Sequence, residues 1–265
     1  MPGLVCKEYE QAAEDRMEPM TLKTVLIFGA GLQAEWAIKL LLILCAHKAL
    51  TSPRIIIVNR SLGRAQELSK KVLLWHGEKI LPTTDSIPTF ESYQLNRGTP
   101  QLEFLVSEAD AIFCCTPSHD PLFSAIELRS ATALTKTRYI SAIGSYTPDM
   151  KEIHPEVLVD KVLKFSTIVD TFEGCQVEAG EIISAYELFS EDPNVSEFGM
   201  SEVGKLWNQA KEARSRGREI RREMMGNVFY KSVGTGTMVL VAAKELTRIV
   251  RGGNCSVTGV EIPGF

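Results

Sequence analysis

Apolar residues along the chain fall into short runs separated by stretches of helical spacing, the alternation expected of an α/β protein with a parallel sheet. LKTVLIF over 22–28 predicts a strand, ended by Gly29 and Gly31. From Gln33 the spacing turns helical, with Trp36, Ile38, Leu41, Leu42 and Cys45 on a broad apolar face, until Ser52-Pro53 stops it. RIIIVNR over 54–60 has a continuous apolar run, as in a strand covered on both faces. A helix is predicted over 61–75, with Ser61 placed to cap it. A weaker strand is predicted near 79–81, followed by polar loop and the segment 88–107. AIFCCT (111–116), YISAIGS (139–145), STIVDT (166–171) and VFYKSVG (228–234) predict further strands. Residues 174–190, 201–225 and 235–250 read as helices, and the charged KEARSRGREIRRE within the second is a solvated helix face. The predicted fold class is α/β, a Rossmann-type doubly wound parallel sheet.

Composition narrows the class of function. The 265 residues are 45% hydrophobic and 23% charged, ordinary for a globular protein with a full core. A formal net charge of −4 leaves no basic footprint, so nucleic acid is not an expected partner. The six cysteines (Cys6, Cys45, Cys114, Cys115, Cys175 and Cys255) are scattered without a C-x-x-C pair, as in a protein of reduced thiols. His47, His76, His119 and His154 show no metal-ligand spacing, so no metal site is expected. The N-terminal residues are acidic and polar, without the features of a signal peptide, and Ala37 to Ala46 is too short to span a bilayer. No membrane association is expected, and a cytoplasmic location is.

The chemistry concentrates at Gly29-Ala30-Gly31-Leu32-Gln33-Ala34, a G-x-G-x-x-A turn between a strand and a helix. In a dinucleotide site Gly29 would allow the tight turn, Gly31 would clear the path of the pyrophosphate, and Ala34 would let helix and strand pack closely. Backbone N–H groups at the helix start would then hold the phosphate charge. The alternative is a merely tight strand–helix turn, but both flanks have the right type. At the end of the second strand, NAD sites place a carboxylate for the ribose 2′-hydroxyl, whereas this chain has Asn59-Arg60-Ser61. Arg60 can pair with a 2′-phosphate, and Asn59 and Ser61 can donate hydrogen bonds to it. NADP(H) is therefore favoured over NAD(H), the alternative being that Arg60 is a plain surface residue.

Six blocks in order resemble the ornithine cyclodeaminase/mu-crystallin family: VLIFGAGLQAEW, IIIVNRSLGRAQEL, ADAIFCCTPSHDPLF, ISAIGSYTPDMKEIHPEVL, VDTFEGCQVEAGEI and NVFYKSVGTGTMVLVAAKEL. The G-S-Y-T-P block leans toward fungal members. The resemblance implies an NAD(P)-binding Rossmann domain paired with a second domain that binds substrate and forms a homodimer. It also implies transfer of a hydride between the nicotinamide and the α-carbon of a small amino or imino acid. Carried over residue by residue, Gly29, Gly31, Gln33 and Ala34 fall on the pyrophosphate loop, and Asn59, Arg60 and Ser61 on the turn of NADPH-binding members. Cys115, Thr116 and Pro117 match the strand end under the riboses, and Gly144 and Ser145 the loop beside the nicotinamide. Lys231 and Gly234 match a segment returning toward the cleft, which makes Lys231 a candidate catalytic residue. Asp170, Glu178 and Glu181 match a block whose expected work is structural, capping helices and joining domains, with a role at the cleft rim as the alternative. Cys114 and Cys115 read as buried sheet residues rather than nucleophiles.

Two departures from the family pattern shape the expectation. Residues 1–21 stand where members have a long substrate-binding region, so they are read as a remnant of it, with 22–200 as the Rossmann domain. Residues 201–265 are read as a helix–strand–helix returning to that truncated second domain, and the lost region carries much of the family's dimer surface. Second, Tyr146 stands where cyclodeaminases carry an Asp that handles the substrate's amino proton. A phenol keeps its proton at neutral pH, so Tyr146 is a candidate proton donor, and Asp149 nearby is out of register. His119, after the Thr-Pro turn, reads as a surface-loop residue with a cleft role as the alternative. The expected function is an NADP(H)-dependent oxidoreductase or cyclodeaminase-type enzyme for small amino or imino acids, with imine reduction favoured. The alternative is a non-catalytic NADP(H)-binding protein.

Overall fold

Alternate residues of each central strand enter two different cores, which is what a sheet covered on both faces requires. The computed structural model describes residues 22–47, 51–77, 87–191, 199–216, 226–234 and 244. Contacts divide the chain into two units, Met1–Val233 and Gly234–Phe265, and the sheet and its helices belong to the first. Its elements are β1 (Thr24–Phe28), α1 (Leu32–His47), β2 (Arg54–Asn59), α2 (Leu62–Gly77), β3 (Thr89–Gln94), α3 (Pro100–Glu108) and β4 (Ala111–Cys114). A 3-10 turn (Ile126–Leu128) and α4 (Ala131–Leu134) lead to β5 (Tyr139–Ala142), α5 (Glu156–Val159), β6 (Ser166–Val169), α6 (Phe172–Glu178) and α7 (Gly180–Glu191). β7 (Met200–Glu202), α8 (Val203–Ser215) and β8 (Val228–Lys231) complete the set.

The eight strands are parallel, in the order β3-β2-β1-β4-β5-β8-β6-β7. This is the Rossmann-type α/β class that the pattern of runs predicts. Val25 and Ile27 pack with Ile55 and Ile57 against Ile38, Leu41 and Leu42 of α1 and Ala65, Leu68 and Val72 of α2. Leu26 and Phe28 face the other way, with Ile56, Val58 and Ile112, into a core shared with α3, α5, α6 and α7. Burying each such side chain contributes about 1.5–3 kcal/mol. Trp36, expected on the inner face of α1, is half exposed: it lies in register with Leu32 and Leu40, one stripe away from Ala34, Ile38 and Cys45. Lys39 lies over Trp75 at 3.6 Å and pairs with Glu35, so this outer stripe ties α1 to α2.

Several expectations change. The third strand is Thr89–Gln94, inside the segment read as non-strand, while 79–81 lies outside the described residues. TFESYQ carries no apolar run because it is an edge strand; its backbone pairs with β2, and its side chains are only partly covered. The helix expected over 174–190 is two helices, α6 and α7, separated at Ala179, whose ψ of 97° is extended. Gly180 presses on the Pro148 and Met150 carbonyls, where a side chain would collide with both. Of the helix expected over 201–225, Val203–Ser215 is seen, led in by the short strand β7. Residues 228–231, expected in a C-terminal segment outside the Rossmann domain, form β8 within its sheet, between β5 and β6. The helix expected over 235–250 lies outside the described residues, Lys244 apart. No described helix is long and apolar enough to cross a membrane.

Candidate functional site

The strand order reverses between β1 and β4, and the crevice outside the carboxyl ends of these two strands is where open α/β sheets take ligands. The glycine turn lies there. Gly29 donates its N–H to the Val58 carbonyl at 2.9 Å and holds φ at +110°, a left-handed value that disfavours side chains. A Cβ on Gly29 would sit 2.7 Å from the Cys115 carbonyl oxygen and 3.1 Å from Thr116 Cγ2, so the β1 and β4 turns touch. Gly31 differs: nothing lies within 4 Å of where its Cβ would be. That open cradle faces the start of α1, whose leading N–H groups have no partner within the helix. Ala34 is fully buried against the sheet, while Leu32 and Gln33 are exposed and Ala30 is partly covered. The residues present thus fit a dinucleotide pyrophosphate.

At the end of β2, Asn59 Nδ2 donates to the Ser61 carbonyl at 3.0 Å, which shapes the turn. Ser61 Oγ accepts from the Arg64 N–H at 3.4 Å, capping α2 as its position predicts. Arg60 and Arg64 are both exposed around this cap. One N–H of the Asn59 amide is thus spent on its own turn, which leaves its second N–H, the Ser61 hydroxyl proton and the guanidinium charge of Arg60 and Arg64 to meet a ligand.

Beneath the crevice runs a buried polar network that sequence reasoning found only in part. Glu152, from the segment before α5, is fully buried. Its Oε1 accepts from Thr116 N–H at 2.6 Å and Thr116 Oγ1 at 3.2 Å; its Oε2 accepts from Gly144 N–H at 2.7 Å and Ser145 N–H at 3.3 Å. Burial pushes its carboxyl up to about 7, against the Thr116 amide, the Lys231 charge and the Gly144 amide; the Glu181 charge adds to the rise. The Ser145 hydroxyl donates to both oxygens of Glu181 at 3.0 Å. Lys231 Nζ pairs with Glu181 at 2.9 Å and donates to the carbonyl of Ser145 at 2.8 Å and to its hydroxyl. Removing one partner of such a buried pair costs about 3–5 kcal/mol.

Lys231 is therefore fully enclosed under the loops, its three N–H donors spent on Glu181 and Ser145. Tyr146, next to Ser145, is 55% exposed. His119 also reaches the surface, and its Nδ1 lies 3.0 Å from Asp149. Cys115 is buried and Pro117 exposed, with Thr116 between them. Burial pushes the Cys115 thiol up to about 12 and Cys114 well above its ordinary value, so neither is a thiolate nucleophile at neutral pH. Asp170 accepts from Thr171 N–H and the Ser232 hydroxyl, closing the β6–β8 end. Glu152 gave no signal of its own, sitting among Lys151, His154 and Glu156 in a polar stretch. The lysine in the apolar strand VFYK was the one cue that a buried acid must exist.

The strand order, the reversal between β1 and β4 and the glycine turn at it define a protein of the Rossmann class. No protein-family model matches the chain. Over 191 residues, 68% of its length, the chain is 33% identical to an uncharacterised protein of Saccharomyces cerevisiae, of which it covers 47%. It is 28% identical over 162 residues to a glutamyl-tRNA reductase of Xanthomonas oryzae pv. oryzae, covering 61% of this chain and 32% of that one. The chain thus spans less than half the length of these curated relatives. Among solved structures, a ketone-specific alcohol dehydrogenase from Comamonas testosteroni aligns over 91% of this chain and 97% of that one, at 13% identity and a TM-score of 0.35.

Proposed function

We propose that this protein is an NADP(H)-dependent oxidoreductase for small amino or imino acids, of the ornithine cyclodeaminase/mu-crystallin type, with imine reduction its favoured direction. The observation that carries the reading is the contrast between the two glycines: Gly29 packed against the β4 turn, Gly31 facing open space at the start of α1. The distant glutamyl-tRNA reductases, named for a reduction, support an oxidoreductase.

When bound, the nicotinamide supplies or accepts the hydride. The chain's own residues do the rest. The Gly31 cradle and the first N–H groups of α1 take the pyrophosphate. Arg60, with Arg64 beside it, meets the 2′-phosphate, and the hydroxyl of Ser61 donates to it. The Thr116 and Gly144 turns flank the nicotinamide half. Tyr146, exposed at the rim, donates the proton that imine reduction consumes. Lys231 holds Ser145 and Glu181 in place from below and is a positioning residue rather than a group that meets substrate.

Titration with NADPH tests the core of this reading. Gly31→Val is expected to keep the wild-type stability within about 0.5 kcal/mol, because its side chain enters empty space, and to abolish NADPH binding. An unchanged NADPH affinity in Gly31→Val would sink the proposed pyrophosphate site. Arg60→Glu is expected to weaken NADPH by roughly 10- to 100-fold, as for loss of a charge-assisted hydrogen bond, and to leave NADH unchanged or improved. Equal effects on both cofactors would remove Arg60 from the 2′-phosphate site. Turnover is read from nicotinamide absorbance with pyrroline-2-carboxylate, piperideine-2-carboxylate and ornithine. NADPH binding without turnover on any of them would favour the second reading, a non-catalytic NADP(H)-binding protein. The enclosure of Lys231 in its ion pair is the observation on that side.

A further inference from the structure

Each oxygen of Glu152 is shared by two donors, one pair from the turn after β4 and one from the turn after β5. These turns approach so closely that a Cβ on Gly144 would sit 2.5 Å from the Thr116 oxygen and 2.6 Å from Glu152 Oε1. Thr116 in turn lies against Gly29, with its Cγ2 3.1 Å from the place of that residue's Cβ. The carboxylate is therefore the common anchor of two turns, one of which packs on the glycine turn at the same crevice.

We propose that Glu152 is the positioning residue of the cofactor site, its ionised carboxylate holding the Thr116 and Gly144 turns at the spacing that admits the nicotinamide half of the dinucleotide, and a proton on it releasing that hold. The proposal deepens the NADP(H) reading and rests on it. An ionised carboxylate accepts at both oxygens, as the three N–H donors here require. Protonated on Oε2, it presents a hydroxyl to the Gly144 and Ser145 N–H groups alone. Protonated on Oε1, it can donate to Thr116 Oγ1 but becomes a weaker acceptor for the Thr116 N–H, so in either form the hold on one turn weakens.

The charged and titratable groups facing Glu152 are Lys231 from β8, Glu181 from α7, and Cys114 and Cys115 from β4 and its turn. Lys231 and Glu181 are committed to each other, and both cysteines remain thiols. Burial sets Glu152 itself at about 7. At pH 6 about a tenth of the molecules then carry the ionised form, so an affinity confined to that form is about tenfold weaker than at pH 8.

The test compares NADP+ with adenosine 2′,5′-bisphosphate, by calorimetric titration of the wild-type protein from pH 6 to pH 8.5. Both ligands carry the 2′-phosphate with its own titration, the 5′-monoester of the bisphosphate adds a further loss of about twofold at most by pH 6, and only the dinucleotide has the nicotinamide half. The expected result is that NADP+ weakens about five- to tenfold more than the bisphosphate between pH 8 and pH 6. In Glu152→Gln this excess is expected to vanish, with NADP+ about tenfold weaker than wild type at pH 8 and the bisphosphate unchanged. Parallel profiles of the two ligands in the wild type would overturn the proposal without touching the NADP(H) reading, and this comparison stands even if the Gln variant does not fold. An excess that persists in a folded Glu152→Gln protein would overturn it as well. Failure of both ligands to bind at any pH would instead bring down the dinucleotide site, and the proposal with it.

Discussion

Gly144→Ala is expected to destabilise the protein by about 3 kcal/mol or more, beyond the usual cost of one added methyl in a packed site. The new Cβ would meet the Thr116 N–H, the Thr116 carbonyl oxygen at 2.5 Å and Glu152 Oε1 at 2.6 Å. None of these can step aside cheaply. Thr116 is backbone at the end of a central strand, and Glu152 is buried with both oxygens in use. The β4 and β5 turns must separate, which breaks the hydrogen bonds through which Glu152 joins them. A fall in melting temperature of roughly 6–12 °C corresponds to that loss in a protein of this size, and NADPH affinity is expected to fall with it. Thermal unfolding and NADPH titration of the same sample check both parts. A variant with wild-type melting temperature would show that the two turns do not approach as described. An added side chain has opposite consequences for stability at Gly31 and Gly144, and the difference is space.

Arg138→Met is expected to cost a comparable amount and leave the site alone. Arg138 is 1% exposed and precedes β5, at the end of the strands opposite the crevice. Its guanidinium donates to the carbonyls of Ala109 at 3.0 Å, Ala133 at 2.7 Å and Ser107 at 2.6 Å, tying α3, α4 and the start of β4 together. Burial pulls it down to about 10, yet it keeps its charge at neutral pH. Methionine fills part of the volume but leaves the Ala109 and Ser107 carbonyls without a donor, while that of Ala133 keeps the Lys136 N–H at 3.2 Å. At about 1–3 kcal/mol for each of the two unsatisfied groups, partly relieved by relaxation, a loss of about 2–4 kcal/mol follows. Well below its melting temperature the variant is expected to bind NADPH as the wild type does. Reduced affinity with unchanged stability would reverse the assignment of Arg138 to the scaffold.

These two substitutions separate the parts of the molecule that sequence reasoning reached from those it did not. Gly29, Gly31 and Ala34 were legible because the roles of a turn are local: strand, glycine, glycine and helix follow one another within a few residues. Ser61 was legible for the same reason, as a cap stands next to the helix it caps. β3 escaped because an edge strand needs no apolar run, and β7 because three residues carry no period. The break at Ala179 escaped because its cause lies some thirty residues back, in the Pro148 and Met150 carbonyls that Gly180 must approach.

By itself the sequence determined the α/β class, the glycine turn between β1 and α1 and the absence of a carboxylate at the end of β2, all consequences of neighbouring residues and their spacing. Only the tertiary structure decided what lies under that turn. Threading β8 between β5 and β6 brings Lys231 beneath Ser145 and Glu181, and the folding back of the 151–154 segment puts Glu152 between the β4 and β5 turns. No local pattern encodes that strand order. It is chosen by the packing of the whole sheet, and with it the choice of which charges must find one another once water is excluded.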